Sequence, residues 1–259
     1  MWRTIAIISL IIFASVTNVI AAETQSKQLH ELTIRQANKL LNKGEITSVE
    51  LVNHYLKQIK KYDRSGPKIN SVPQINTKAL AIAKRLDDER RQGNIRSPLH
   101  GIPIVLKDNI DTADGMPNTA GSIALKDNFP TQDAHIVKKL RDAGAIILGK
   151  ANLSEWANFR GMKSSSGWSG LWGQTRNPYD TSKSTCGSSA GSGAAVSANF
   201  SMLAVGTETD GSIVCPSALT GIVGIKPSLG TVSRHGIIPI AHSQDTAGPM
   251  ARTVTDAVI

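Results

Sequence analysis

Gly101-Ile102-Pro103-Ile104-Val105-Leu106-Lys107-Asp108-Asn109 is a short apolar run between a glycine and three polar residues. A run of this length, bounded by turn formers, is the pattern of a strand buried on both faces. Ala145-Ile146-Ile147-Leu148 repeats it. Between the two lies a segment that Asp133 is placed to cap, with Ile136, Val137 and Leu140 on one face and Gly144 at its end. Further strands are expected at Met202–Val205 and Ile222–Ile225, with a small-residue helix from about Ala190 to Ala198. Strands that alternate with helices specify an α/β sheet rather than a sandwich.

Upstream the period changes from strand to helix. Thr33 precedes Ile34, Ala37, Leu40 and Leu41 at helical spacing, and Lys43-Gly44 closes that segment. Thr47-Ser48-Val49-Glu50 is a capping box ahead of Leu51, Val52, Tyr55, Leu56 and Ile59. Ser65-Gly66-Pro67 breaks the chain, and a third helix is expected from about Lys78 to Arg91. Residues 30–95 therefore read as a helical region and 96–259 as an α/β core. The last seven residues, Thr253 to Ile259, read as the first turns of a helix without a cap or a stop signal.

The chain of 259 residues, 40% hydrophobic with 22 Gly and 11 Pro, is long enough for a large core. Met1-Trp2-Arg3, the apolar run Ile5 to Val16 and the small residues around Ala21 read as a cleavable secretory leader over residues 1–22 in preference to a retained anchor. The run is shorter than the roughly 20 apolar residues of a membrane span, so no stable membrane insertion is expected after cleavage. A periplasmic or secreted mature protein, residues 23–259, follows. The formal charge of +9 is concentrated upstream, with 15 Lys and Arg against 8 Asp and Glu in residues 23–100. Without a recognition motif, and with only 4% aromatic residues, this reads as solvated helix faces and not as a nucleic-acid surface. Cys186 and Cys215 are the only cysteines. In an exported chain they either form one disulfide or stay as two semi-buried thiols.

Three segments carry the chemistry. Lys107 ends a buried strand, where desolvation disfavours its ammonium and makes a neutral base available. Cys186-Gly187-Ser188-Ser189-Ala190-Gly191-Ser192-Gly193 clusters Gly and Ser before a helix, without the closing Gly-Lys-Ser/Thr of a Walker loop. In Gly206-Thr207-Glu208-Thr209-Asp210-Gly211-Ser212 a strand runs into a tight turn that exposes a serine beside converging backbone N–H groups. Each alone is more often a solvent-seeking lysine, a plain loop or a turn serine.

Taken in order, with Lys107, Ser188 and Ser212 separated by 81 and 24 residues, the three segments resemble the amidase signature family over roughly residues 30–259. Ala151-Asn152-Leu153-Ser154-Glu155-Trp156-Ala157-Asn158, Gly167-Trp168-Ser169, Gly173 to Tyr179 and Ser243 to Met250 are similar to its bacterial peptide-amidase branch. The resemblance implies a mixed sheet flanked by helices, and hydrolysis of carboxamides, including C-terminal peptide amides, to carboxylate and ammonia. Ser212 would be the nucleophile, Ser188 the proton bridge and Lys107 the base, with backbone N–H groups at Thr209, Asp210, Gly211 and Ser212 as the oxyanion hole. It implies no metal and no cofactor, and makes Ser189 structural or an auxiliary donor. His100, His135 and His235 are expected to be bystanders, since no G-x-S-x-G elbow supports a Ser-His-Asp site.

Two departures qualify that resemblance. Members acting on glutamyl-tRNA carry an arginine two residues after the nucleophile, where this chain has Val214, which cannot pair with a carboxylate. Family members are also roughly twice as long, so the chain is expected to be the N-terminal half, truncated at the C-terminus. The alternatives to an active amidase are an inactive remnant or partner-dependent half of a split enzyme, and a non-catalytic binder built on the Gly/Ser loop.

Overall fold

Apolar side chains on both faces decide the centre of the fold. Three strands are buried at every position: β2 (Pro103–Lys107), β3 (Ile146–Ala151) and β6 (Leu203–Glu208). Both sheet faces are therefore covered there. The computed structural model describes residues 29–259, so the expected leader at 1–22 lies outside the described residues. Thr33–Ile259 forms one unit, to which the following account refers.

The sheet has six strands in the order β1-β3-β2-β6-β8-β7, with β1 at Gln74–Ile75, β7 at Val223–Gly224 and β8 at Thr246–Ala251. β2 runs parallel to both β3 and β6, whereas β1, β8 and β7 join antiparallel. The sheet is thus mixed, and its edges are two residues long, which limits unpaired backbone. A separate hairpin pairs β4 (Trp168–Ser169) with β5 (Gly173–Gln174).

Seven α-helices surround it among the described residues: α1 (Ile34–Lys43), α2 (Ser48–Gln58), α3 (Ala79–Arg91), α4 (His135–Asp142), α5 (Ala190–Ser197), α6 (Val214–Leu219) and α7 (Val254–Val258). Thr33 and Thr47 each make a full capping box, with Gln36 and Glu50 reaching back. Asp87 of α3 accepts from the Ser48 and Val49 N–H groups at 2.7 and 3.1 Å, which locks α2 onto α3. None of the described helices is long and apolar enough to cross a membrane.

Two expectations differ from the structure, and one strand, β8, has no counterpart among them. Asp133 does not cap α4, because its carboxylate takes the Ala113 N–H (2.9 Å) and pairs with Arg141 (2.9 Å). Thr253 does cap the last helix, accepting from the Asp256 N–H at 3.1 Å. β8 forms although it contains Gly248 and Pro249. Pro249 faces the end of the short β7, where only the Ile225 N–H donates to its carbonyl (3.1 Å), so its missing donor costs the ladder little.

Candidate active site

Parallel pairing of β2 with β6, in the register Leu106 to Val205, brings the ends of both strands side by side. Lys107 leaves the end of β2 fully buried. Its Nζ donates to Ser188 Oγ at 2.6 Å, to Thr207 Oγ1 at 2.8 Å and to the Thr207 carbonyl at 3.0 Å. Burial lowers its pKa from 10.5 to about 7, against the opposing pull of the Glu208 and Asp245 carboxylates. These three partners serve either protonation state. An ammonium fills all three acceptors. A neutral amine gives its two N–H bonds to Thr207 and turns its lone pair to the Ser188 hydroxyl. Proton exchange between Lys107 and Ser188 therefore needs no heavy-atom movement.

Ser188 sits in the Gly/Ser loop before α5, after a cis Gly187–Ser188 peptide bond. Its carbonyl accepts from the Ser154 N–H at 3.0 Å, and Ser154 Oγ accepts from the Gly167 N–H at 2.8 Å. The neighbouring Ser189 ties this loop to the other serine segment. Its N–H donates to the Ser212 carbonyl (3.1 Å), while its hydroxyl donates to the Thr207 carbonyl (3.1 Å) and accepts from the Thr207 N–H (3.2 Å). Cys186 and Cys215 are joined as a disulfide with Cα atoms 5.9 Å apart, a second tie between the same segments.

Ser212 is buried to 7% exposure at the turn between β6 and α6. Gly211 adopts φ +75°, a conformation that a side chain disfavours. The Glu208 carboxylate accepts from the N–H groups of Gly211 (2.9 Å), Ile213 (2.7 Å) and Val214 (3.0 Å). Burial alone would raise the Glu208 pKa, but these three bonds and Lys226 at 3.5 Å hold it below its usual value. Thr209 is pinned through its hydroxyl to Asp245 (2.6 Å) and through its carbonyl to Lys226 (2.9 Å). Of the backbone N–H groups expected in the oxyanion hole, that of Gly211 is thus turned to Glu208. Among the described residues none accepts from the N–H of Thr209, Asp210 or Ser212.

Several residues beside this site carry no signal of their own in the sequence. Thr207 is the hub for Lys107, Ser189 and Asn109, whose Nδ2 donates to Thr207 Oγ1 at 3.0 Å. Asp108 and Lys150 form a fully buried ion pair at 3.5 Å, and Asp108 also accepts from the Thr119 hydroxyl and from Trp172 Nε1 (3.0 Å). Burial raises the Asp108 pKa and lowers that of Lys150. A cavity of about 230 Å³ adjoins Thr207 and Thr209, walled by Ile237, Ile238, Arg234 and Asp245. His100 is a satisfied core residue, its Nε2 2.9 Å from the Leu86 carbonyl. No group of three His, Cys, Asp or Glu side chains suited to a metal occurs among the described residues.

The α/β mixed sheet thus holds a buried Lys–Ser pair beside a serine turn. The chain belongs to the amidase family, which it matches over residues 50–259. It is similar to the native peptide amidase from Stenotrophomonas maltophilia, with 56% identity and a TM-score of 0.85 over 87% of this chain and 46% of that one. It is likewise similar to an amidase family protein from Bacillus anthracis, with 49% identity and a TM-score of 0.89 over 92% of this chain and 47% of that one. A glutamyl-tRNA(Gln) amidotransferase component from Halorhodospira halophila is 40% identical over 231 residues, 89% of this chain and 46% of its own. The chain spans less than half the length of the curated relatives it matches first.

Proposed function

We propose that this chain carries the serine machinery of an exported amidase that hydrolyses carboxamides, C-terminal peptide amides among them, to carboxylate and ammonia. The carrying observation is the 2.6 Å contact between buried Lys107 Nζ and Ser188 Oγ, with the Ser212 turn tied to the same loop through Ser189. Ser212 Oγ attacks the amide carbon and its proton passes through the Ser188 hydroxyl to neutral Lys107. The tetrahedral oxyanion is received by backbone N–H groups of the Thr209–Ser212 turn. Lys107 then returns the proton through Ser188 to the departing ammonia, and water releases the acyl group by the reverse path. The substrate class is supported by likeness to a peptide amidase, and by apolar Val214 two residues past the nucleophile. Export is supported by the Cys186–Cys215 disulfide, which persists in an oxidising compartment.

A second reading, in which activity requires a further polypeptide portion, is favoured by the span of under half of the relatives. Both are tested by ammonia release from simple amides and C-terminal peptide amides, with Ser212→Ala and Lys107→Ala as controls. Turnover abolished in both variants supports the first reading. Folded wild-type protein that releases no ammonia supports the second.

A further inference from the structure

Glu208 is placed unlike any other carboxylate beside the candidate site. It is the last residue of β6, 4% exposed, and its two oxygens are spent on the backbone of the turn that follows. One oxygen takes Gly211, the residue before Ser212, and the other takes Ile213 and Val214, the two residues after it. Ser212 is therefore bracketed by hydrogen bonds to a single side chain. The bracket also sorts the amides: Gly211 points to Glu208, while Asp210 and Ser212 have no acceptor among the described residues.

We propose that Glu208 is the positioning residue of the Ser212 turn, its carboxylate fixing the hydroxyl toward Ser188 and reserving the Asp210 and Ser212 N–H groups for the oxyanion. This rests on the serine-hydrolase reading above. Glu208 acts through the turn, whose Gly211, Ile213 and Val214 N–H groups take up both of its oxygens. Its charge acts in a second way, on Lys107. The anions facing that amine are Glu208 from β6 and Asp245 from the segment before β8, and Lys226 partly offsets Glu208. Removing the Glu208 charge lowers the pKa of Lys107 further. It thus moves the acid limb of Ser212 reactivity to lower pH, a change that loss of packing alone would not produce.

The experiment is labelling of Ser212 by a fluorophosphonate probe, in which Oγ displaces fluoride from phosphorus and its proton leaves through Ser188. Rates are followed against pH in the full chain. Glu208→Gln keeps the shape but puts an NH₂ donor where one set of N–H groups needs an acceptor. Labelling should slow about 100-fold, as a displacement of about 1 Å does, and the acid limb should move down. Glu208→Asp keeps the charge with a shorter reach, so the limb should stay at its wild-type position while the rate falls between the two. A Glu208→Gln protein labelled at the wild-type rate with an unmoved limb overturns the proposal. Should that variant not fold, a Glu208→Asp protein labelled as fast as wild type overturns it equally, because a carboxylate set back by one methylene no longer meets the Gly211, Ile213 and Val214 N–H groups where they stand. Failure of the underlying reading looks different: wild-type protein would then be no more reactive than Ser212→Ala.

Discussion

Replacing Lys107 by methionine isolates the cost of burying an amine at the end of β2, and that cost is a function of pH. The folded-state pKa of about 7 lies well below the ordinary 10.5. Between these two values the unfolded chain binds a proton that the folded chain does not, so stability rises with pH through this window. Above 10.5 both states are neutral and the group costs nothing through its charge. Below 7 both are protonated and the penalty is complete, about 5 kcal/mol at 1.36 kcal/mol per pKa unit. Wild-type stability measured relative to Lys107→Met should therefore increase by about 3 kcal/mol from about pH 7 to about pH 9.5. Other titrating groups cancel in that difference. Urea unfolding of both proteins at half-unit pH steps gives the curve directly, without a substrate. A flat difference over this range would mean that Lys107 keeps an ordinary pKa, and the neutral-base role would be lost with it.

Two further outcomes follow from the bonds around the site. The Cys186–Cys215 disulfide closes a loop of 29 residues, for which the chain-entropy model gives about 3.6 kcal/mol. Reduction, confirmed by a thiol count, should lower the urea midpoint and slow labelling of Ser212; unchanged values would show that Ser189 alone ties the segments. Lys150→Met should cost about 3–5 kcal/mol by leaving the Asp108 carboxylate buried without its cation. The Asp108→Asn/Lys150→Met pair should recover much of that loss, and a double variant less stable than Lys150→Met would contradict it.

How much of this is legible in the sequence depends on where each residue finds its partner. Strands β2, β3 and β6 are readable because both their faces are buried and the chain answers with unbroken apolar runs. β8 is not, since Thr246-Ala247-Gly248-Pro249-Met250-Ala251 has no such run and becomes a strand only by pairing with β6. The capping boxes at Thr33 and Thr47 are local and therefore visible. The duties of Asp133 and Asp87 depend on partners outside their own helix turn, Ala113 and Arg141 for the first and Ser48 and Val49 for the second, and are not. Lys107, Ser188 and Ser212 emerge from a resemblance across three segments, and the structure adds the contact of the first two. Glu208 and Thr207 lie inside the third of those segments and still escape a reading of it. Their partners are backbone N–H groups and a lysine on another strand, which leave no mark in composition or spacing. The cysteine pairing stays open in the sequence for the same reason; it is α6 that brings Cys215 back against the Gly/Ser loop.

Helix α5 has a consequence for the ancestry of such chains. It is built of Ala, Gly, Ser and one Val, and is buried from Ala190 to Val196. A Cβ on Gly191 would lie 2.4 Å from the Ser71 carbonyl oxygen and 2.5 Å from backbone atoms of Asn152. Steric exclusion of this kind acts on every descendant that folds, whether or not it turns over a substrate. A lineage that had lost its nucleophile would keep the glycine of this helix as long as it kept the sheet beneath. Gly191 is thus a mark of packing, whereas loss of the proposed chemistry would show first at Lys107, Ser188 and Ser212.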